Sequence, residues 1–340
     1  MEARQKQPPS ARAVPLSPAG RPLDAALVRE RLGRRVQVVV GKGGVGRTAL
    51  AAALAVRSAR AGHRTLLLEV DAPDSAAALL GVAPAVDEPR EVMNGLWLCR
   101  MTQPGALREY ALMVLRFKPL YNLVFENRLV KYLLRSIPSL GEFTMLGKAW
   151  FHTTENRADG SPKYERVIID APATGHAVTF LSLARLVANV SPPGIMKQAS
   201  ERMAAMVESR DDACLHVVTL PEEMPVNEAL ELVAAARGRL RMTLGLGVVN
   251  RVLPPLMDAE ERARLDALGD TPALQPYLRA ARARDDREAW QAEHAARFAS
   301  EAGMMTVQLP EQGAGGLSLA GLDRIVQRLD AAAGEGPGRG

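Results

Sequence analysis

Cysteine is nearly absent from this sequence. Among 340 residues there are two, Cys99 and Cys214, each inside an apolar run. They read as buried thiols, which excludes a disulfide framework and points to a reducing cytoplasm. Aromatic residues are also sparse, at 4%. No stretch of about 18 uncharged apolar residues occurs, so no integral membrane segment is expected. The first twenty positions are polar and proline-rich without an apolar core, so no secretory leader is expected. A basic surface is missing too. The net charge is +5, but Arg4, Lys6, Arg12, Arg21, Arg29, Arg31, Arg34 and Arg35, set against Glu2, Asp24 and Glu30, account for all of it within residues 1–35. The rest is close to neutral, which argues against a nucleic-acid partner.

One stretch is rich where the rest is plain. A β-branched run, Val38 to Val40, feeds Gly41-Lys42-Gly43-Gly44-Val45-Gly46-Arg47-Thr48, and an alanine-rich helix follows from Ala49. Strand, glycine loop and helix in that order are the context of a P-loop. Its glycines let successive backbone N–H groups turn toward phosphate oxygens, and the helix N-terminus adds its positive end. Residues Gly41 to Ala49 are therefore the candidate phosphate cradle. Thr48 would offer its hydroxyl to Mg2+. The bland alternative is a glycine turn joining a strand to a helix, with Lys42 an exposed loop lysine. One position departs from the pattern: the usual lysine is Arg47, whose planar fork is not equivalent to a compact ammonium.

Further along, short apolar runs alternate with helical patterns. Strands are expected at 35–40, 65–70, 96–101, 166–170, 214–220, 244–249 and 305–309. This predicts an α/β fold with a mostly parallel sheet of about seven strands flanked by helices. Two strands end in aspartate, Asp71 and Asp170, where open α/β sheets bind ligands. Arg166-Val-Ile-Ile-Asp170 fits the Walker B pattern, though a simple turn carboxylate remains open. Residues 1–33 read as a disordered basic tail, to about Pro22, plus a short helix. Residues 34–331 read as a single domain with a helical insertion at about 104–150 and 190–212. Residues 332–340 read as a second disordered tail.

The Lys42-Gly-Gly-Val-Gly-Arg-Thr48 loop resembles the deviant Walker A of dimeric nucleotide switches. Asp170-Ala-Pro-Ala-Thr-Gly-His176, Val248-Val-Asn-Arg-Val252 and Gln308-Leu-Pro310 resemble further motifs of one group among them. This is the ArsA-type family of anion-transporting and tail-anchored-protein-targeting ATPases, in its bacterial branch. The resemblance implies a P-loop NTPase that binds ATP with Mg2+ and works as a homodimer, or as a heterodimer with a paralogue. It implies that Lys42 reaches the partner's nucleotide, that Asp71 activates the attacking water, and that Thr48 and Asp170 hold Mg2+. It also implies that Asn250, Arg251 and Pro310 frame the adenine, with a turn residue after a strand as the bland alternative for Asn250. A protein client is implied, with the insertion and the Met-bearing segment 193–209 as its candidate surface. Zinc is not expected, because no Cys-x-x-Cys pair is present, and neither is arsenite, because two separated cysteines make no metalloid site. Arg47 leads to an expectation of slow hydrolysis, or of a regulatory subunit without useful turnover.

Overall fold

Strands that are apolar at every position, with no polar alternation, belong to a sheet covered on both faces. A computed structural model gives that arrangement. It describes residues 14–70, 75–102, 105–106, 139–172, 174–268, 272–312 and 318–335. Eight strands occur among these: β1 (Val36–Gly41), β2 (Thr65–Val70), β3 (Arg90–Met93), β4 (Leu96–Met101), β5 (Arg166–Asp170), β6 (Ala213–Thr219), β7 (Leu244–Val252) and β8 (Met305–Pro310). They form one sheet in the order β3-β4-β2-β5-β1-β6-β7-β8. Every adjacent pair is parallel except β3 and β4.

The sheet thus has one strand more than the seven expected. The extra one, β3, has four partly exposed residues beginning with Arg90 and Glu91, too short and too charged to show a pattern. Asn94 and Gly95, with Gly95 at φ 73°, turn it back onto β4. An Asn-Gly pair is a strong hairpin signal, and it marks this turn in the sequence.

Alternate residues of each inner strand enter opposite cores. Val36, Val38 and Val40 face one apolar layer, while Val39 faces the other. The second layer is closed by α1 (Ala25–Leu32), α2 (Arg47–Arg60), α3 (Ser75–Leu80) and α10 (Leu319–Ala332). The first is closed by α4 (Leu140–Thr154), α5 (Thr174–Val190), α6 (Ile195–Glu208), α7 (Glu223–Ala235) and α9 (Gln275–Glu301). Between β7 and α9 a short helix, α8 (Ala259–Ala267), buries no residue. The alanines of α2 explain its position under β1: Ala51, Ala52, Ala53 and Ala55 are fully buried, and their small side chains let the helix approach the sheet closely.

Three expectations about segments change. Val14 to Ser17 is not loose tail: the Gln308 N–H donates to Leu16 O at 2.9 Å, Arg328 Nη2 donates to Pro15 O at 2.8 Å, and Val14 is buried. This segment covers the β8 edge, which would otherwise present unpaired backbone groups. The two apolar residues that dock it, Val14 and Leu16, sit in proline-rich surroundings that mask them. The start of the second expected tail is ordered as well: Ala332 ends α10, Ala332 and Ala333 are buried, and Arg57 Nη2 donates to Glu335 Oε2. Within the expected insertion, positions 107–138 lie outside the described residues, while α4 packs Phe143, Met145, Leu146 and Ala149 into the sheet core.

Candidate functional site

The carboxyl ends of β1, β5, β7 and β8 lie on one edge of the sheet, and most of the singled-out residues gather there. β1 ends on Gly41, a position where only glycine fits: a Cβ there would stand 2.4 Å from Val218 O on β6. The loop then turns into α2 through Gly46, at φ 100°, a left-handed conformation that favours glycine. A Cβ at Gly46 would also meet Asn250 Nδ2 at 2.2 Å. The loop is therefore locked from behind by β6 and β7. The Asn250 amide completes this by donating to Val45 O at 2.8 Å. Asn250 thus holds the P-loop directly, a contact that the adenine reading does not include. Its neighbour Arg251 is exposed at φ 56°, beside a register shift between Val249 and Val252, and Pro310 ends β8 opposite Val252.

At the start of α2, Thr48 Oγ1 donates to Asp170 Oδ2 at 2.6 Å. Asp170 is buried, and its Oδ1 has no hydrogen-bond partner among the described residues. Burial pushes the Asp170 carboxyl above the usual carboxylate range, partly opposed by the Thr48 hydrogen bond and the Arg47 charge. A hydroxyl and a carboxylate with one spare oxygen, side by side at the mouth of a P-loop, form a hard-oxygen donor set suited to Mg2+. A divalent cation there would also hold Asp170 ionised, reversing the effect of burial.

Arg47 does not extend freely over the loop. Its Nη1 donates to the carbonyl of Ala171, the residue after Asp170. Burial lowers its pKa, and Asp170 partly offsets the shift. An arginine keeps its charge through such a shift. The guanidinium thus ties the P-loop helix to the segment that follows β5.

Lys42 is bound within its own chain. Its Nζ lies 2.7 Å from Glu228 Oε1 on α7, with both side chains partly exposed. Such a partly exposed ion pair is worth at most about 1 kcal/mol. Nothing in the sequence links two residues so far apart. Asp71 lies outside the described residues, as do Ala173 and the side chain of His176.

One residue carries no motif and still belongs to this edge. Glu69 on β2 is fully buried and stands in register beside Asp170 of β5. Its Oε1 accepts from the Ala76 N–H at 2.7 Å, so the first turn of α3 is tied back to β2 five residues beyond Asp71. A single carboxylate in an otherwise apolar strand was the available signal, since such a group is buried only with compensation.

Residues 34–192 match the anion-transporting ATPase family. That span holds the P-loop, Asp71 and Asp170, whereas Asn250, Arg251 and Pro310 lie beyond it. The ATPase BagA of Mycobacterium tuberculosis is 29% identical over 246 residues, covering 68% of this chain and 69% of its own. An uncharacterized protein of Streptomyces coelicolor is 30% identical over 213 residues, covering 59% of this chain and 50% of its own.

Proposed function

Because residues 34–192 place this chain in the anion-transporting ATPase family, we propose that it binds ATP with Mg2+ at the Gly41–Ala49 loop and works as a dimeric switch. The contact between Thr48 and Asp170 beneath the loop is the observation that carries this reading. In it, the backbone N–H groups from Gly43 to Thr48 grip the phosphates, and the N-terminus of α2 adds its dipole. Bound Mg2+ would neutralise charge on the β- and γ-phosphates. Asp71, directly after β2, orients the attacking water. Lys42 leaves Glu228 and reaches a second subunit. Asn250 keeps the loop against β7, while Arg251 and Pro310 flank the base. The direct test is sizing of the purified protein with and without Mg-ATP, alongside calorimetry. A doubling of mass and a saturable heat are expected; no heat and no change of mass would end the reading.

Turnover is slow in this proposal, because Arg47 is held on the Ala171 carbonyl and is not free to follow the transferring phosphoryl group. Misplacement by about 1 Å can reduce a rate by about 100-fold. The Arg47→Lys variant should therefore release phosphate at least about tenfold faster than the natural chain. Equal and brisk rates would refute the idea. The same tether favours a second reading, a nucleotide-binding regulatory subunit acting beside a catalytically intact paralogue. In that case Mg-ATP binds, and neither chain hydrolyses until the paralogue is added.

The client surface is narrower in this proposal than the sequence suggested. Met203 of α6 is core, but Leu186, Val190, Ile195 and Met196 are exposed around the α5–α6 elbow, Val190 and Ile195 by about three quarters. A neighbouring cluster of this kind suits an apolar protein segment. Val190→Glu with Ile195→Glu should abolish retention of a hydrophobic helical peptide and leave Mg-ATP affinity unchanged. Among the described residues no helix is long and apolar enough to cross a membrane. A cytoplasmic location is proposed with this reading.

A further inference from the structure

The sheet has a second concave edge. At the amino ends of β7 and β8, far from the P-loop, a cleft of about 600 Å³ opens between the 17–31 segment, the end of α9 and the turn before β7. Leu244 lines it and Asn250 holds the P-loop, six residues further along β7, so the two sites are about 20 Å apart.

The cleft combines two chemistries. Arg21, Arg31 and Arg237 line it, and no acidic side chain is among its described lining residues. Two of these arginines are fixed by backbone. Arg21 Nη1 donates to Ala299 O at 3.2 Å, and Arg237 Nη2 donates to Ala302 O at 2.7 Å and Gly303 O at 3.1 Å. The carbonyls at the end of α9 would repel an anion. The arginines cap them and reverse the sign of that wall. A guanidinium has five N–H donors, so each retains several for a ligand. The remaining wall is apolar, built from Leu27, Met242, Leu244, Met304 and Met305. Methionines adapt their shape to what they cover.

We propose that this cleft binds an organic monoanion, with a carboxylate head on the arginines and an apolar body against the leucines and methionines. A bare inorganic anion would leave the apolar wall wet, and a neutral apolar molecule would leave the guanidinium donors unused. The volume suits a small ligand. Binding would clamp the 17–31 segment to α9 and the sheet. It does not depend on the nucleotide reading.

Octanoate is the probe, with inorganic phosphate and octanol at equal concentration as controls. In full-length protein carrying 13C-methyl methionine, octanoate should shift the signals of Met242, Met304 and Met305, each assigned by its Met→Leu variant. It should also raise the unfolding midpoint by at least about 2 °C. Neither control should do so. In Arg21→Met with Arg237→Met, the octanoate shifts should disappear. Thr48→Ala, at the other edge, should retain them. Unmoved methionine signals in the natural chain would overturn the proposal, and so would equal shifts with phosphate or with octanol. Those outcomes are read on the natural chain alone, so they stand even if the arginine variant fails to fold.

Discussion

Asp170→Asn is expected to make the protein more stable and, under the proposed function, to stop its turnover. The Asp170 carboxyl is buried, its pKa is raised by that burial, and only Oδ2 is engaged, by Thr48. A carboxyl whose folded pKa lies above its unfolded value stabilises the fold least when ionised. Its contribution erodes as pH rises from the unfolded value near 4 through the folded one. At neutral pH, without a cation, Asp170 is therefore a net burden on folding. Asparagine keeps an oxygen to accept from Thr48 and removes the charge. Its unfolding temperature at pH 7.5 should exceed that of the natural chain, with the gap closing toward pH 4. The same change removes the negative oxygen offered to Mg2+, and losing one preorganised electrostatic contact lowers turnover by about 10²–10³-fold. Paired thermal unfolding and phosphate-release measurements check both halves. A less stable variant would show that Asp170 serves the scaffold; a stable and equally active one would show that it is no metal ligand.

That opposition between stability and work explains why so much of this site is legible in residues alone. Sites break local rules, and the breaks are visible. Four glycines in six positions, and an aspartate closing an apolar strand, are poor choices for a scaffold unless a ligand repays them. The inner strands are equally legible, because burial on both faces demands unbroken Val, Ile and Leu. What stays hidden is whatever depends on distant residues meeting. Glu228 reaches Lys42, and the Ala171 carbonyl reaches Arg47, only through the order of the sheet. The family resemblance implies a base contact for Asn250, and its observed bond is to Val45 O. Both assignments place it on the same edge; only the fold reveals the loop behind it. The β3 edge strand and the docked Val14–Ser17 segment escape the sequence for a different reason. Each is too short for its two or three apolar residues to make a period.

The other large effect lies inside the sheet, away from the nucleotide edge. His216 on β6 is fully buried between β1 and β7. Its Nδ1 accepts from the Leu246 N–H at 3.0 Å, which fixes the tautomer, so Nε2 carries the hydrogen and donates to Gln37 Oε1 at 3.1 Å. One neutral imidazole thus bridges three parallel strands. It has little room, since a Cβ at Gly245 would stand 2.8 Å from the ring. Burial, with the positive charge of Arg31 nearby, pushes its pKa down to about 4. The adjacent Cys214 thiol is pushed up to about 12 and remains uncharged. In the window between about 4 and the ordinary histidine value near 6.5, the unfolded chain binds a proton that the folded chain refuses. Stability is therefore complete above pH 6.5 and is lost as pH falls toward 4, by roughly 3 kcal/mol at 1.36 kcal/mol per unit. Urea unfolding at pH 7 and pH 4 should show this loss on top of whatever the carboxylates contribute. His216→Gln, which can still accept from Leu246, should be less stable at pH 7 yet lose about 3 kcal/mol less on acidification. An identical acid loss in both chains would mean that His216 already takes up its proton within the folded sheet.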